Sequence, residues 1–262
     1  MKSVARLRAW RAFMLLCAFG CFGSAELQAG TVLSPGPAVL IRKSVEPFGL
    51  FAFAISDGGL RQKWLRLLDD EMDQLALCDA DRDGCPSPAA LKLLAIVDAA
   101  RTREGRARLG ETNRAVNLAI RPMSDLAQHG EDDVWNSPLA TLERGAGDCE
   151  DYAIAKLVAL RLAGVPADDL RIVVMRDALA GEEHAVTAAR LDGHWLVLDN
   201  RRMAMIEDDY VRNYQPLFVI YQSAVMKYAD TFPSRARQQD DAARAVASTE
   251  IGRQDSLISA TD

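Results

Sequence analysis

The sequence predicts an α+β fold, with helices in the first part of the folded region and an antiparallel sheet in the second. Apolar residues recur at helical spacing between residues 60 and 162. After Gly164-Val165-Pro166 they form alternating or fully apolar runs, which are typical of strands. Asp192-Gly193 is a strong signal for a two-residue hairpin turn. With 262 residues, of which 49% are hydrophobic, the chain is long enough to bury one sizeable core.

Composition argues against nucleic acid as the main partner. The formal net charge is -6 at pH 7, and no basic block stands out in the body of the chain. Aromatic residues make up only 6% of the sequence, too few for a platform on which bases stack.

The first 25 residues are predicted to be a signal peptide. Their positive start contains Lys2, Arg6, Arg8 and Arg11. Residues 12–23 follow as an apolar run that is too short to cross a bilayer, and Ala25 or Ala29 offers a cleavage site. An uncleaved anchor and a lipid-modified Cys21 are the alternatives. We therefore expect an exported protein, with one folded domain over residues 26–230 and a polar, disordered or loosely helical tail over residues 231–262.

Export determines how the five cysteines are interpreted. Cys17 and Cys21 leave with the signal peptide, so three remain in an oxidising compartment. The simplest accounting pairs Cys78 with Cys85 across a short loop and leaves Cys149 free. A free thiol in an oxidising compartment indicates that Cys149 has a chemical function. The alternative is an inert, buried cysteine.

The helical part begins after an extended entry segment, residues 31–56, which contains at most one or two strands. Apolar spacing and helix-start residues then predict helices over residues 60–77, 86–101, 106–120 and 137–144. Residues 124–135 are expected to form a loop. Residues 79–84 begin like a calcium-binding EF-hand loop, but its twelfth position is Ala90 instead of Glu. A polar turn closed by the Cys78–Cys85 bridge is therefore favoured over calcium there.

The stretch Gly145-Ala146-Gly147-Asp148-Cys149-Glu150-Asp151-Tyr152 is the strongest candidate for chemistry. Asp148 is a good helix N-cap, so Cys149 begins a helix whose broad apolar surface predicts a central, buried position. A helix N-terminus favours the thiolate, which makes Cys149 a candidate nucleophile. Asp148, Glu150 and Asp151 disfavour the thiolate. They either satisfy only the helix start or hold a cation, most naturally calcium.

Strand register selects a partner for this thiol. Strands are predicted over residues 170–176, 184–191, 194–199 and 216–222. With a two-residue turn, Val186 lies opposite Asp199, and His184 is the diagonal neighbour of Asp199 on the same face. Cys149, His184 and Asp199 are therefore predicted as nucleophile, base and orienting group. A surface role for His184 is the alternative, and a bulge in either strand would remove the match.

Several blocks resemble one protein family in the same order. They are Asn117-x-x-Ile120, Asp132-Asp133-Val134-Trp135-x-x-Pro138-Leu139, Gly147-Asp148-Cys149-Glu150-Asp151-Tyr152-Ala153-Ile154-Ala155-Lys156, Leu170-Arg171-Ile172, Glu183-His184-Ala185-Val186 and Val197-Leu198-Asp199-Asn200. Together they resemble the bacterial transglutaminase-like cysteine proteinases of the periplasmic LapG type. The similarity spans roughly residues 49–223.

The resemblance implies a papain-like fold, in which a central helix carries the cysteine and packs on an antiparallel sheet that carries His and Asp. It implies the triad Cys149, His184 and Asp199, and calcium dependence with Asp148, Glu150 and Asp151 as ligands. It further implies a periplasmic endopeptidase that cleaves the N-terminal region of a large surface adhesin and so releases biofilm cells. An inhibitory inner-membrane receptor for cyclic di-GMP is the implied partner.

Two features depart from the family pattern, namely the long polar tail and Arg201-Arg202 after Asp199-Asn200. A transglutaminase or amide-transferring enzyme would use the same triad, because the two reactions differ only in the acyl acceptor. A catalytically silent module that binds a membrane receptor is the third possibility. Trp135 either lines the substrate groove or packs in the core, and packing is slightly favoured.

Overall fold

Residues 44–56, 58–67 and 71–229 are described by the structure, a computed structural model. The predicted signal peptide and the predicted tail lie outside these ranges, so both stay predictions. No helix within the described ranges is long and apolar enough to cross a membrane.

The helices before the main sheet largely follow the apolar spacing of the sequence. They are α1 (Gly59–Arg66), α2 (Glu71–Ala80), α3 (Pro88–Arg101), α4 (Gly105–Ala119), α5 (Asp125–His129), α6 (Pro138–Arg144) and α7 (Cys149–Leu162). Ser87 and Ser137 cap α3 and α6, since each hydroxyl accepts a hydrogen bond from the N–H three residues later. The predictions for α3, α4, α6 and α7 are therefore confirmed to within about two residues.

Two expectations about helices were wrong. The single helix predicted over residues 60–77 is replaced by α1 and α2, because Trp64 is buried against the sheet whereas Leu75 is buried among other helices. The predicted loop over residues 124–130 contains α5, which ends at Gly130 in a left-handed conformation with φ 71°. One helical turn is too short to show the helical period in sequence.

The strands are β1 (Ala52–Ala54), β2 (Arg121–Pro122), β3 (Ala146–Gly147), β4 (Leu170–Asp177), β5 (Glu183–Leu191), β6 (His194–Leu198), β7 (Ile206–Glu207), β8 (Tyr214–Tyr221) and β9 (Ala224–Tyr228). Within the described ranges the main sheet is antiparallel, with the order β1-β9-β8-β4-β5-β6-β7, and β2 pairs with β3 separately. The α+β fold class is confirmed, as are the four predicted strands, now β4, β5, β6 and β8.

The β5–β6 hairpin has the register that the sequence predicts. Leu191 lies opposite His194, and Thr187 lies opposite Leu198. Asp192 and Gly193 both have positive φ, 50° and 83°, as a two-residue turn of this type requires. No bulge interrupts the recorded pairs of this hairpin.

Helix α7 lies between the sheet and the other helices. Towards the sheet it buries Ile154, Leu157 and Leu160 against residues of β4, β5 and β6. On its other side the small residues Ala155 and Ala159 pack among α3, α4 and α6. The predicted central, buried position of α7 is therefore confirmed.

Cys78 at the end of α2 and Cys85 before α3 form a disulfide, which confirms the predicted pairing. The turn between them is polar and internally bonded. Asp81 accepts a hydrogen bond from the Gly84 N–H (3.0 Å), and Arg82 bonds Asp79 (2.5 Å). The turn therefore needs no ion to define its shape.

Removing this disulfide should weaken folding and spare the chemistry, because neither cysteine lines the cleft described below. Closing so short a loop lowers the conformational entropy of the unfolded chain and thereby stabilises the folded protein by about 2 kcal/mol. Urea titration of Cys78→Ala/Cys85→Ala should show a loss of that size, with wild-type activity at 25 °C. An unchanged unfolding midpoint would contradict a stabilising role.

Candidate active site

The first residue of α7 and the beginning of β5 meet in a cleft of about 520 Å³. Cys149 and His184 both line it, together with Trp135 from the loop before α6. Trp135 also packs against the sheet-side core, so the predicted packing is confirmed, and a role in the substrate groove stays a prediction. Other lining residues are Leu60, Lys63, Asp132, Asp133, Asp148, Glu150, Val174, Glu183, Ala185 and Phe218.

His184 and Asp199 are hydrogen-bonded as the register predicts. His184 Nε2 lies 2.9 Å from Asp199 Oδ1, and both residues are buried. The other ring nitrogen, Nδ1, has no hydrogen-bond partner among the described residues. This geometry assigns the proton to Nε2 and leaves Nδ1 as the lone-pair nitrogen of the neutral ring.

Asp199 is held as a carboxylate. Its burial opposes ionisation, but the hydrogen bond from His184 and the N–H of Arg201 outweigh it and hold the pKa of Asp199 below its usual range. The Arg201 N–H donates to the same oxygen as His184, Oδ1, at 2.9 Å. An ionised Asp199 keeps the imidazole in one orientation.

Cys149 is the free cysteine of the described part of the chain, and its surroundings favour the thiol over the thiolate. Burial and then the carboxylate of Glu150 raise the pKa of the thiol well above its usual range, while the Ala185 N–H acts in the opposite direction. Sγ lies 3.0 Å from Glu150 Oε2, to which the thiol donates. Positive charge close to Glu150 would favour the thiolate.

An acidic cluster beside Cys149 offers a place for that charge. Asp125, Asp148 and Glu150 place one carboxylate oxygen each within 4.8 Å of one another. Oδ1 of Asp125 and Oδ1 of Asp148 are buried without a hydrogen-bond partner in the described structure. Burial, Glu150 and Asp125 raise the pKa of Asp148 to about 9. His129 Nε2 lies 3.9 Å from Asp125 Oδ1, beyond hydrogen-bond distance. Clustered carboxylate oxygens without hydrogen-bond donors fit a hard cation such as calcium.

The cluster overlaps the three predicted ligands but differs from them in one position. Asp151 is fully buried, and its carboxylate accepts hydrogen bonds from the backbone N–H of Asn136 (3.0 Å) and from the Asn136 side chain. Asp125, from α5, takes the third place in the group. Sequence reasoning did not identify Asp125, because no pattern in the sequence around this residue indicates that α5 lies close to the start of α7.

Lys156 is buried on α7, close to the same carboxylate that orients His184. Its Nζ donates to the carbonyl oxygen of Leu198 at 3.3 Å. Burial lowers the pKa of Lys156 to about 7, although the nearby Asp199 opposes the shift. With this pKa, Lys156 loses its proton near pH 7, and it lies against the segment that carries Asp199.

Comparison with known proteins identifies a protein family and several similar structures. The family model for bacterial transglutaminase-like cysteine proteinases matches residues 72–226, more than half of the chain. The EGTA-treated structure of Legionella pneumophila LapG is 23% identical, with a TM-score of 0.50 over 61% of this chain and 85% of that one. The calcium-bound structure of the same protein gives 23%, 0.50, 61% and 87%. No curated protein matches.

Lys156→Met should change how stability depends on pH. Between pH 7 and 10.5 the native lysine is largely neutral whereas the unfolded chain keeps its proton, so native stability rises with pH. The variant lacks this contribution. In urea titrations, the free energy of unfolding of the wild type minus that of the variant should rise across the window by up to about 1.4 kcal/mol per pH unit.

The control is Lys92→Met, at an exposed lysine of α3. This variant should keep the pH dependence of the wild type. A constant difference between wild type and Lys156→Met from pH 7 to 10 would show that Lys156 stays charged in the native protein.

Proposed function

The chain belongs to the bacterial transglutaminase-like cysteine proteinases, and we propose that it is a calcium-dependent periplasmic endopeptidase with the triad Cys149, His184 and Asp199. The observation that carries the proposal is the orientation of His184. Its Nε2 is bonded to Asp199, its Nδ1 is unpartnered within the described structure, and it shares the cleft with Cys149. A base held in this way fits proton exchange with a thiol.

In the proposed reaction, Cys149 Sγ attacks the carbonyl carbon of the scissile peptide bond while His184 Nδ1 takes the thiol proton. The developing oxyanion is stabilised by the backbone N–H of Cys149 at the start of α7. The C–N bond then breaks, and His184 gives its proton to the leaving amine. Water, activated by His184, hydrolyses the resulting thioester and restores the thiol.

Calcium is proposed at the acidic cluster. Asp125, Asp148 and Glu150 would hold the ion, and its chemistry would be to supply positive charge that neutralises these carboxylates. The unpartnered oxygens of Asp125 and Asp148 and the raised pKa of Asp148 support this assignment. Asp151, predicted as a ligand, would instead fix the loop before α6 through Asn136.

Location, substrate and partner are proposed from the resemblance of the sequence to LapG-type proteases. The signal peptide predicted over residues 1–25 would deliver the enzyme to the periplasm. The proposed substrate is the periplasmic N-terminal region of a large surface adhesin. The proposed partner is an inner-membrane receptor that senses cyclic di-GMP and keeps the protease inactive.

Cys149→Ala should reduce activity by at least about a thousandfold, because the acyl-enzyme cannot form. The mature protein is incubated with calcium and a fragment of a large surface adhesin encoded in the same genome, and the products are analysed by mass spectrometry. Hydrolysis leaves a new N-terminus, whereas transfer to an amine leaves an isopeptide product. Cleavage retained in the Cys149→Ala variant would exclude the proposed triad, and an isopeptide product would indicate a transglutaminase.

Asp125→Asn should lower calcium affinity by at least about tenfold. Isothermal titration with calcium measures it, and the matched control is Asp132→Asn, an exposed carboxylate that lines the cleft outside the cluster. EGTA should abolish proteolysis by the wild type, and added calcium should restore it. Full activity in excess EGTA would remove calcium from the mechanism.

A further inference from the structure

We propose that Asn117, on α4, is a positioning residue that acts through Asp199 and holds its carboxylate against His184. The kinetic effect expected of this residue rests on the proposed proteolytic function. Its structural basis is a set of hydrogen bonds around the short turn that follows β6.

The turn from Asp199 to Arg202 aims the orienting carboxylate. The Arg201 N–H donates to Asp199 Oδ1 at 2.9 Å, the oxygen that also receives His184 Nε2. The Arg202 N–H donates to the backbone oxygen of Asp199 at 3.3 Å and closes the turn. The position of the carboxylate therefore depends on the shape of this turn.

Asn117 binds both ends of the turn. Its side-chain Nδ2 donates to the backbone oxygen of Asp199 at 3.0 Å and to that of Arg202 at 3.1 Å. Both neighbours are acceptors, so only the amide nitrogen satisfies them, and the orientation of the amide is fixed. A single side chain thus bridges the two ends of the turn that presents the Arg201 N–H to Asp199.

The neighbouring donors Lys156 and Asn113 do not make the hydrogen bond that Asn117 makes to Asp199. Lys156 Nζ reaches the carbonyl of Leu198, the residue before the turn. Asn113, one helical turn earlier on α4, donates to Arg202 (3.1 Å) and Met203 (3.0 Å) but has no recorded bond to Asp199. Within α4, it is the side chain of Asn117 that hydrogen-bonds to Asp199.

This arrangement provides a matched pair of variants. Asn113→Ala and Asn117→Ala remove the same amide group, from the same helix, and each loses two bonds to the segment after β6. Asn113 is fully buried, whereas Asn117 is partly exposed, so Asn113→Ala is expected to cost at least as much stability. A role limited to folding would therefore affect activity most in the Asn113 variant.

The kinetic test uses a fluorogenic peptide built on the cleavage site found for the wild type. Asn117→Ala and Asn117→Leu should lower kcat by roughly tenfold or more with little change in KM, because a misplaced orienting group affects the chemical step more than substrate binding. Asn113→Ala should keep kcat within about threefold. Calorimetric unfolding confirms that all variants are folded at the assay temperature.

A second measurement needs no substrate. In ¹⁵N-histidine-labelled protein, the Nε2 proton that His184 shares with Asp199 should give a low-field signal, assigned by its loss in His184→Gln. Exchange of this proton with water should be roughly tenfold faster in Asn117→Ala than in the wild type and unchanged in Asn113→Ala.

Loss of kcat and faster proton exchange in both Asn117 variants, with neither in Asn113→Ala, would support the positioning role. Wild-type kcat and exchange in the Asn117 variants, or equal losses in Asn113→Ala, would overturn it. If the wild type cleaves no protein, the proposed function fails, and the exchange measurement still decides whether Asn117 positions Asp199.

Discussion

The packing of α7 on the β5–β6 hairpin is the constraint on which the rest of the site depends. It brings the first residue of the helix and the first buried residue of β5 into one cleft. Thr187 fixes the contact, since its hydroxyl donates to the carbonyl of Ala153 across a fully buried interface at 2.6 Å. The apolar side chains of α7 supply most of the free energy of this contact, and the polar bonds set its register.

That packing also creates an electrostatic problem beside the thiol. The N-terminus of α7 favours an anion, but Asp148 and Glu150 occupy its first positions and Asp125 approaches from α5. Burial raises the pKa values of Asp148 and the Cys149 thiol, and repulsion from the neighbouring carboxylates, which is poorly screened in a buried setting, raises them further. The sequence alone already contained this conflict, and the structure adds that the Cys149 thiol donates a hydrogen bond to Glu150.

Sequence reasoning succeeded where a local pattern, such as a turn followed by alternating side chains, determines which residues pair. The turn at Asp192-Gly193 sets the register of β5 and β6, so the pairing of His184 with Asp199 followed from counting residues. It failed where a contact depends on how elements that are distant in sequence pack together. Asp125 lies close to Asp148 and Glu150 although it comes from α5. Asn117, which the resemblance to the family had already singled out, reaches the backbone of Asp199 from α4, and no periodic signal encodes either contact. The break between α1 and α2 was missed for the same reason.

The unpartnered carboxylate oxygens explain why a cation-dependent site would also be a switch. Without positive charge, Asp125 and Asp148 keep buried oxygens that have no hydrogen-bond donor among the described residues, and this raises the free energy of the folded protein. A cation bound there would stabilise the fold and remove the repulsion that protonates Cys149. Stability and reactivity would then depend on the same ion, while Asp199, which accepts hydrogen bonds from the Arg201 N–H and from Asn117 on α4, would keep His184 in place in both states.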